Sequence, residues 1–397
     1  MPAQGPVVLF SADLAATGVA RNTVNLANAL ARRRIATEVI ALSGGALADG
    51  LQGARLTLLG RPRAPRAVAL AASTPALHRR IAAAEPSTVV SMGNHAHLAV
   101  WAALRGLAGP ARVYRISNDV AHAGEPAIAR NLRQAGLRLI AADADRIACV
   151  SGRLAALPEL DDARRAGRVE TTPNGVDLAA VRRRAAEPCA HPWVGDGRPF
   201  LVAVGRVHPQ KNYDTLVEAL AVARGAGADM RLAILGGGTP ARLQALRARA
   251  DSLGLGDRLR LEGEVANPFP LVAAAAAFAL PSWWEGASNS LLEALACGAP
   301  VVVSRTAGDA ALVLDGGRYG RLVDPGDPCA LARGLVEQSA PGPARVLPGA
   351  RAQAFALDAA VDRLAATVLG AQRRREGSRE HDEIQMRPER ARHLEGV

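Results

Sequence analysis

Short runs of consecutive apolar residues alternate along this chain with longer stretches in which Ala, Leu and Arg recur at helical spacing. In the first half the strand-like runs are Val7–Ser11, Glu38–Leu42, Thr88–Ser91, Arg112–Ile116 and Arg146–Val150. Helical patterns at Arg21–Arg33, His97–Leu107 and Ala127–Ala142 fall between them. The second half restarts the rhythm with Phe200–Val204, Arg231–Leu235, Leu259–Leu261, Ala277–Leu280 and Pro300–Ser304. Strands apolar on both faces and joined by helices predict parallel sheets covered on both sides. Two such series predict an α/β protein of two doubly wound domains facing across a cleft, since ligands of open parallel sheets bind beyond the carboxyl ends of the strands. Arg182-Arg183-Arg184, Pro188, Pro192, Gly195 and Gly197 interrupt both rhythms. Residues 1–180 are therefore the expected first domain, 181–198 a linker and 199–370 the second domain. The remaining 371–397 form a polar tail, helical at most in its first turns and otherwise mobile.

Composition narrows the function classes. Of 397 residues, 49% are hydrophobic and 21% charged, the balance of a folded protein rather than a disordered chain. Aromatic residues make up 3%, which argues against stacking of bases on exposed rings, and no nucleic-acid partner is expected. The net charge of +11 is uneven: residues 1–190 carry 24 arginines against 14 acids, whereas 191–370 balance 17 cations with 17 acids. Cys149, Cys189, Cys297 and Cys329 show no paired spacing, so neither a zinc site nor a disulfide framework is expected, and a cytoplasmic setting is the simple reading. A secretory signal is not expected, and the apolar stretch Leu271–Leu280 falls short of the roughly 20 residues needed to span a bilayer.

Two constellations carry chemistry. After Phe200–Val204 comes Gly205-Arg206-Val207-His208-Pro209-Gln210-Lys211-Asn212, and Lys211 is the only lysine in a chain with 47 arginines. A compact ammonium acts as a point charge on phosphate where a guanidinium fork would not fit. Arg206 and Lys211, at the two ends of one loop, are placed to grip a diphosphate. The second constellation runs from Glu285 to Gly298. A strand, a Pro281-Ser282 turn and a glycine-containing loop lead into a helix that Ser288 or Asn289 can cap. The amides of Ser290, Leu291 and Leu292 at that helix start suit an anion. Glu285 and Glu293 bracket it, and carboxylates accept paired hydrogen bonds from vicinal hydroxyls, so sugars beside phosphates are the expected ligand.

These residues resemble a known family, the retaining glycosyltransferases of the GT-B fold and of the family 4 type, over nearly the whole chain. Glu285 and Glu293 are similar to its E-x7-E motif, and Gly205-Arg206 with Lys211-Asn212 to its G-R…K-N loop. Thr172-Pro173-Asn174-Gly175-Val176-Asp177 resembles the interdomain P-N-G-V-D segment, and Val150-Ser151 the V-S before it. Thr17-Gly18-Val19-Ala20-Arg21 and the following helix resemble the amino-terminal glycine loop.

The resemblance implies two Rossmann-like domains, the first for the acceptor and the second for a nucleotide diphosphate sugar. It further implies that Arg206 and Lys211 neutralise the departing diphosphate, Glu293 holds the ribose and Glu285 meets the donor sugar. Gly18 and the amides of Ser290 and Leu291 would meet the distal phosphate, while Gly205, Gly237 and Val265 line the donor and nucleoside pocket. Transfer with retention, no covalent carboxylate, no cofactor and no metal follow from the same likeness.

Two departures stand out. Ala287-Ser288 replaces the small-aromatic-Pro insert after the motif glycine, and where some members place a histidine soon after the fourth strand of the first domain this chain runs into Ser117-Asn118-Asp119-Val120-Ala121-His122. Asn94, His95, Asn118 and His122, at strand ends, are the candidates for acceptor contact. Asp143-Ala144-Asp145 closes a helix at the wrong end of a strand for a metal, and Gly236-Gly237-Gly238 lacks dinucleotide spacing. Arginine clusters in the first half suit an anionic membrane surface, at roughly 1 kcal/mol per basic side chain near anionic lipid, with a glycan or lipid-linked acceptor. The alternatives are a sugar-nucleotide 2-epimerase of similar fold and a non-catalytic nucleotide-sugar-binding protein.

Overall fold

The computed structural model describes residues 5–15, 17–119, 126–340, 342 and 345–394, with side chains through residue 377. The chain divides into two compact units, Met1–Thr172 together with Val361–Val397, and Pro173–Ala360.

Unit 1 is built on a parallel sheet of β1 (Val7–Asp13), β2 (Thr37–Ser43), β3 (Arg55–Leu58), β4 (Thr88–Ser91), β5 (Ala111–Ile116), β6 (Arg146–Cys149) and β7 (Val169–Thr171). Their spatial order is β3-β2-β1-β4-β5-β6-β7, all in parallel register. The helices α1 (Gly18–Arg32), α2 (Arg66–Ala84), α3 (His97–Ala103) and α4 (Ala127–Asp143) cover its faces. Thr17 caps α1 by accepting from the Ala20 amide, and the helix buries Val24, Leu26, Ala27 and Leu30 against Val7, Leu9 and Val39. The chain returns at its end: Leu364, Ala365, Val368 and Ala371 enter this same core.

Unit 2 repeats the plan with β8 (Phe200–Val204), β9 (Arg231–Leu235), β10 (Leu259–Gly263), β11 (Ala277–Leu280), β12 (Val301–Ser304) and β13 (Arg321–Val323), in the order β10-β9-β8-β11-β12-β13. Each sheet runs outward one way, then restarts on the other side of its first strand. That reversal opens a crevice at the carboxyl ends of β1 and β4 in unit 1, and of β8 and β11 in unit 2.

The doubly wound α/β architecture expected from the apolar rhythm is therefore present in both halves. Three strands escaped that rhythm, β3, β7 and β13, and all three are sheet edges. An edge strand is paired on one side only and needs less apolar character, as Arg55, Glu170 and Arg321 show.

The stretch 181–198, expected as a linker, holds most of the helix Leu178–Ala185, and Val181 and Trp193 are buried in the unit 2 core. The tail differs too: one helix runs Leu357–Leu394, its first turns packed into the unit 1 core through Ala371 and the rest rich in Arg, Glu and Gln, which are strong helix formers.

Candidate functional site

The crevice of unit 2 is bordered by the loops that leave β8 and β11, and both chemical constellations lie on them. The β8 loop turns at Gly205, whose φ of +153° and close neighbours both demand glycine: a Cβ there would lie 2.8 Å from Lys211 Cε and 3.1 Å from the Tyr213 hydroxyl. Gly236, after β9, approaches still more closely, since its Cβ would lie 2.2 Å from the Gly205 carbonyl oxygen. Backbone bonds tie the three neighbouring loops together: Gly205 N donates to Leu235 O (2.9 Å), Val207 N to Gly237 O (2.8 Å) and Gly236 N to Gly263 O (2.6 Å). The glycines thus let three strand ends converge where a side chain would force them apart.

Lys211 ends a single 3-10 turn and Asn212 follows in the left-handed region at φ 54°. Asn212 Nδ2 donates to the Pro281 carbonyl (3.2 Å), and its Oδ1 accepts from Thr215 (2.8 Å), which anchors the β8 loop to the β11 loop. Across that seam Lys211 Nζ donates to Glu285 Oε1 at 2.5 Å, both side chains being largely withdrawn from solvent. Ser282, fully buried, donates to the same oxygen at 2.8 Å, and Gln210 Nε2 reaches the Trp284 carbonyl (2.9 Å) and Glu285 Oε2 (3.4 Å). Burial and the Glu285 charge push the Tyr213 hydroxyl far above the ordinary phenol range, so it stays protonated and donates to Gly205 O (3.2 Å). Arg206 is exposed, and no ion pair to it is found among the described residues.

Ser288 caps the helix Asn289–Ala296. Its Oγ accepts from Leu291 N and its carbonyl from Leu292 N, both at 3.4 Å, so these two amides are engaged within the cap. Asn174 Nδ2 donates to Asn289 Oδ1 at 2.8 Å, so the Pro-Asn-Gly-Val-Asp segment braces the first turn of this helix. Gly175 allows it: a Cβ there would lie 2.6 Å from Leu357 Cα. Glu293 is half-buried one turn further on, and its charge adds to burial in pushing the Cys297 thiol up to about 12. Val265 is exposed, and Gly237 faces the Glu264 carboxylate. Trp283 lies on the Gly326 turn, where a Cβ would come within 2.4 Å of its ring. Ser282 and Gln210 are partners of the site that no motif marks; their signal in the sequence is proximity, three residues before Glu285 and one before Lys211.

Unit 1 has its own strand-end cluster. Gly18 opens α1 beside the crevice, and Gly93 lets the β4 loop meet Val19, whose Cγ1 would stand 3.1 Å from a Cβ. Asn94 is occupied with structure: Oδ1 accepts from Ser117 N (2.8 Å) and Ser117 Oγ (3.2 Å), and Nδ2 donates to Asn118 O (2.8 Å). Asn118 Oδ1 accepts from the Asp119 amide at 2.9 Å. Burial, and then Arg66, lower the His95 pKa. His122 lies outside the described residues. His97, buried against Tyr114 and bonded to Ser91 Oγ at 2.7 Å, is held neutral by burial, with its pKa lowered to about 3. Asp143 accepts from Tyr114 Oη (2.6 Å) and pairs with Arg112 and Arg105, and Asp145 accepts from the Arg112 amide (2.8 Å). The Asp-Ala-Asp run is thus a helix terminus tied to β5.

Among the described residues no helix is long and apolar enough to cross a membrane, and all four cysteines are free.

Residues 16–180 match the family model described as Glycosyltransferase Family 4, and residues 198–339 the one described as Glycosyl transferases group 1. The GDP-mannose-dependent alpha-(1-6)-phosphatidylinositol dimannoside mannosyltransferase of Mycobacterium tuberculosis is 36% identical over 171 residues, 42% of this chain and 42% of that protein. The D-inositol 3-phosphate glycosyltransferase of Nocardia farcinica is 34% identical over 199 residues, 46% of this chain and 43% of that one. These matches thus span less than half the length of the curated relatives. Sucrose-phosphate synthase from Thermosynechococcus elongatus shares the fold with a TM-score of 0.74 at 22% identity, covering 91% of this chain and 97% of that one. HepE of Anabaena, solved with UDP and glucose, does so at 0.73 and 19%, covering 92% and 99%. The two Rossmann-like sheets are those of a GT-B protein, and with both family models matched in order the chain belongs to the family 4 type of group 1 glycosyltransferases.

Proposed function

We propose that this protein transfers a glycosyl group from a nucleoside diphosphate sugar to a glycan or lipid-linked acceptor, with retention at the anomeric carbon and without a metal. The observation that carries the reading is the Lys211–Glu285 ion pair at the unit 2 crevice, with Arg206 exposed on the same loop. In this reading Arg206 and Lys211 take the diphosphate, the Ser290 end of the capped helix takes its distal phosphate, and Glu293 takes the ribose hydroxyls. Glu285 shares Lys211 with the leaving group and meets the sugar, while Gly205, Gly237 and Val265 border the nucleoside. As the bond from the anomeric carbon to the phosphate oxygen breaks, negative charge gathers on the diphosphate. Fixed cations aimed at that charge stabilise the transition state more than the ground state. The carboxylate of Glu285 is already engaged by Lys211 and Ser282, which suits an electrostatic role and not that of a nucleophile.

Relatives named for phosphatidylinositol mannosides and inositol phosphate support an acceptor bearing phosphate or lipid. Free thiols and the basic first half suit work on the cytoplasmic side of an anionic membrane.

The test is a thermal-shift panel of nucleoside diphosphate sugars, followed by measurement of free nucleoside diphosphate with and without acceptor. Stabilisation by one donor and acceptor-dependent release of its diphosphate are expected. Isomerisation of the donor without any acceptor, or donor binding without turnover on any acceptor, would overturn the reading.

A further inference from the structure

A cavity of about 720 Å³ opens in unit 2 where β8, β9 and β11 begin, at the opposite end of the sheet from the crevice. The strands between the two are four or five residues long, which sets the sites about 15 Å apart. The volume lies within the about 300–1,000 Å³ of small-molecule sites. Phe200, Met230 and Val336 give the cavity apolar walls. The sequence makes the room. Ala273-Ala274-Ala275-Ala276 passes along it with four methyl side chains in succession, and Gly195 and Gly197, in the loop before β8, carry none.

Two arginines line this cavity, and they differ. Arg198 gives two hydrogen bonds to Asp229 (3.2 and 3.1 Å), a carboxylate that Arg258 also pairs. Arg345 is half-buried, and among the described residues no ion pair to it is found. Its Nε is buried and without a hydrogen-bond partner there. Ser339, which ends the helix Pro328–Ser339 and also lines the cavity, has a buried Oγ in the same condition. A buried polar atom left unpaired costs about 1–3 kcal/mol, and a ligand that brings the missing partner recovers it. We propose that this cavity binds a small amphipathic monoanion, an aliphatic or aromatic carboxylate. Arg345 and Ser339 take its head, since a carboxylate accepts from guanidinium and hydroxyl alike, and Phe200, Met230 and the alanine run take its apolar body. A nucleoside diphosphate does not suit the site, because one of its two lining arginines is already neutralised. The inference stands apart from the donor crevice and does not rest on the glycosyl-transfer reading.

The test uses the full chain with anilinonaphthalene sulfonate, an aromatic monoanion whose fluorescence rises in apolar surroundings, and decanoate as competitor below its micellar concentration. Binding of the probe, displaced by decanoate and not by decyltrimethylammonium, is expected. Arg345→Met weakens decanoate binding about tenfold, the worth of one charge-assisted hydrogen bond. Ala274→Phe, which fills the cavity from its rim, weakens it at least as much. Arg247→Met, at an exposed arginine of unit 2 outside the lining, leaves it unchanged. None of the three positions is buried, and an unaltered melting temperature verifies each fold. Absence of probe binding by the unsubstituted protein overturns the proposal, as does decanoate binding that survives both Arg345→Met and Ala274→Phe. Equal displacement by the ammonium overturns it in favour of an apolar groove indifferent to charge. Displacement by UDP or GDP puts the probe in the crevice and overturns it too. Donor stabilisation in the thermal-shift panel depends on none of these outcomes, so failure here leaves the glycosyl-transfer reading standing.

Discussion

Replacing Lys211 by methionine keeps the volume of the side chain and removes its charge. Lys211 and Glu285 have side chains only 16% and 10% exposed, and Nζ lies 2.5 Å from Oε1. Breaking a buried pair from one side costs about 3–5 kcal/mol, because the surviving charge keeps its desolvation penalty. Two neutral donors remain on the Glu285 carboxylate, Ser282 at 2.8 Å and Gln210 at 3.4 Å, and residual solvent contact softens the penalty further. The expected loss is therefore about 2 kcal/mol, a fall of about 4–8 °C in the melting temperature of a unit this size. Adding Glu285→Gln removes the stranded charge and restores most of that stability. Turnover behaves differently: loss of one fixed charge on the leaving group costs about 100-fold or more in rate, and the second substitution does not return it. Thermal melts and release of nucleoside diphosphate, run on both variants, separate the two effects. Unchanged melting and turnover in Lys211→Met, or turnover that recovers together with stability in the double variant, would refute the reasoning.

The two crevice glycines are expected to fail in different ways. Gly205→Ala meets the flexible end of Lys211 and lowers turnover about tenfold while costing about 1 kcal/mol, whereas Gly236→Ala meets backbone and costs more than about 3 kcal/mol in denaturant unfolding. His97 supplies a pH dependence. Its folded pKa is about 3 and its unfolded value near 6.5, so its neutral form gives full stability above pH 6.5, and that contribution is lost as pH falls toward 3. Between pH 6.5 and 5 the loss is about 2 kcal/mol, and His97→Gln flattens that slope in urea titrations. Asp143→Asn weakens the ties to Tyr114, Arg112 and Arg105 and lowers stability by about 1–3 kcal/mol. Treatment with a chelator leaves the turnover of the unsubstituted protein unchanged.

Much of the plan could be read from apolar periodicity, because strands buried on both faces must be continuously apolar. Thr88–Ser91 and Ala277–Leu280 are buried throughout. Of the four edges only β10 could be read this way, since β3 and β13 mix arginine with leucine. The lone lysine and the spaced glutamates mark the loops of the unit 2 crevice in the sequence alone. Their direct pairing was not legible, because Lys211 and Glu285 are 74 positions apart and meet only where β8 and β11 become neighbours. Likewise the likeness at Asn174 and Gly175 marked a segment of the family pattern, but not that the segment braces a helix more than a hundred residues away.

The return of the chain to unit 1 has a consequence for biosynthesis. The sheet of that unit is complete by Thr171, yet Leu364, Ala365, Val368 and Ala371 still have to fill its core. A ribosome releases these residues only after all of unit 2 has been made. The amino-terminal half must therefore wait, with an apolar seam uncovered, through the synthesis of nearly two hundred residues. A fragment ending at Thr172 would keep that seam open for good, and its solubility should suffer accordingly.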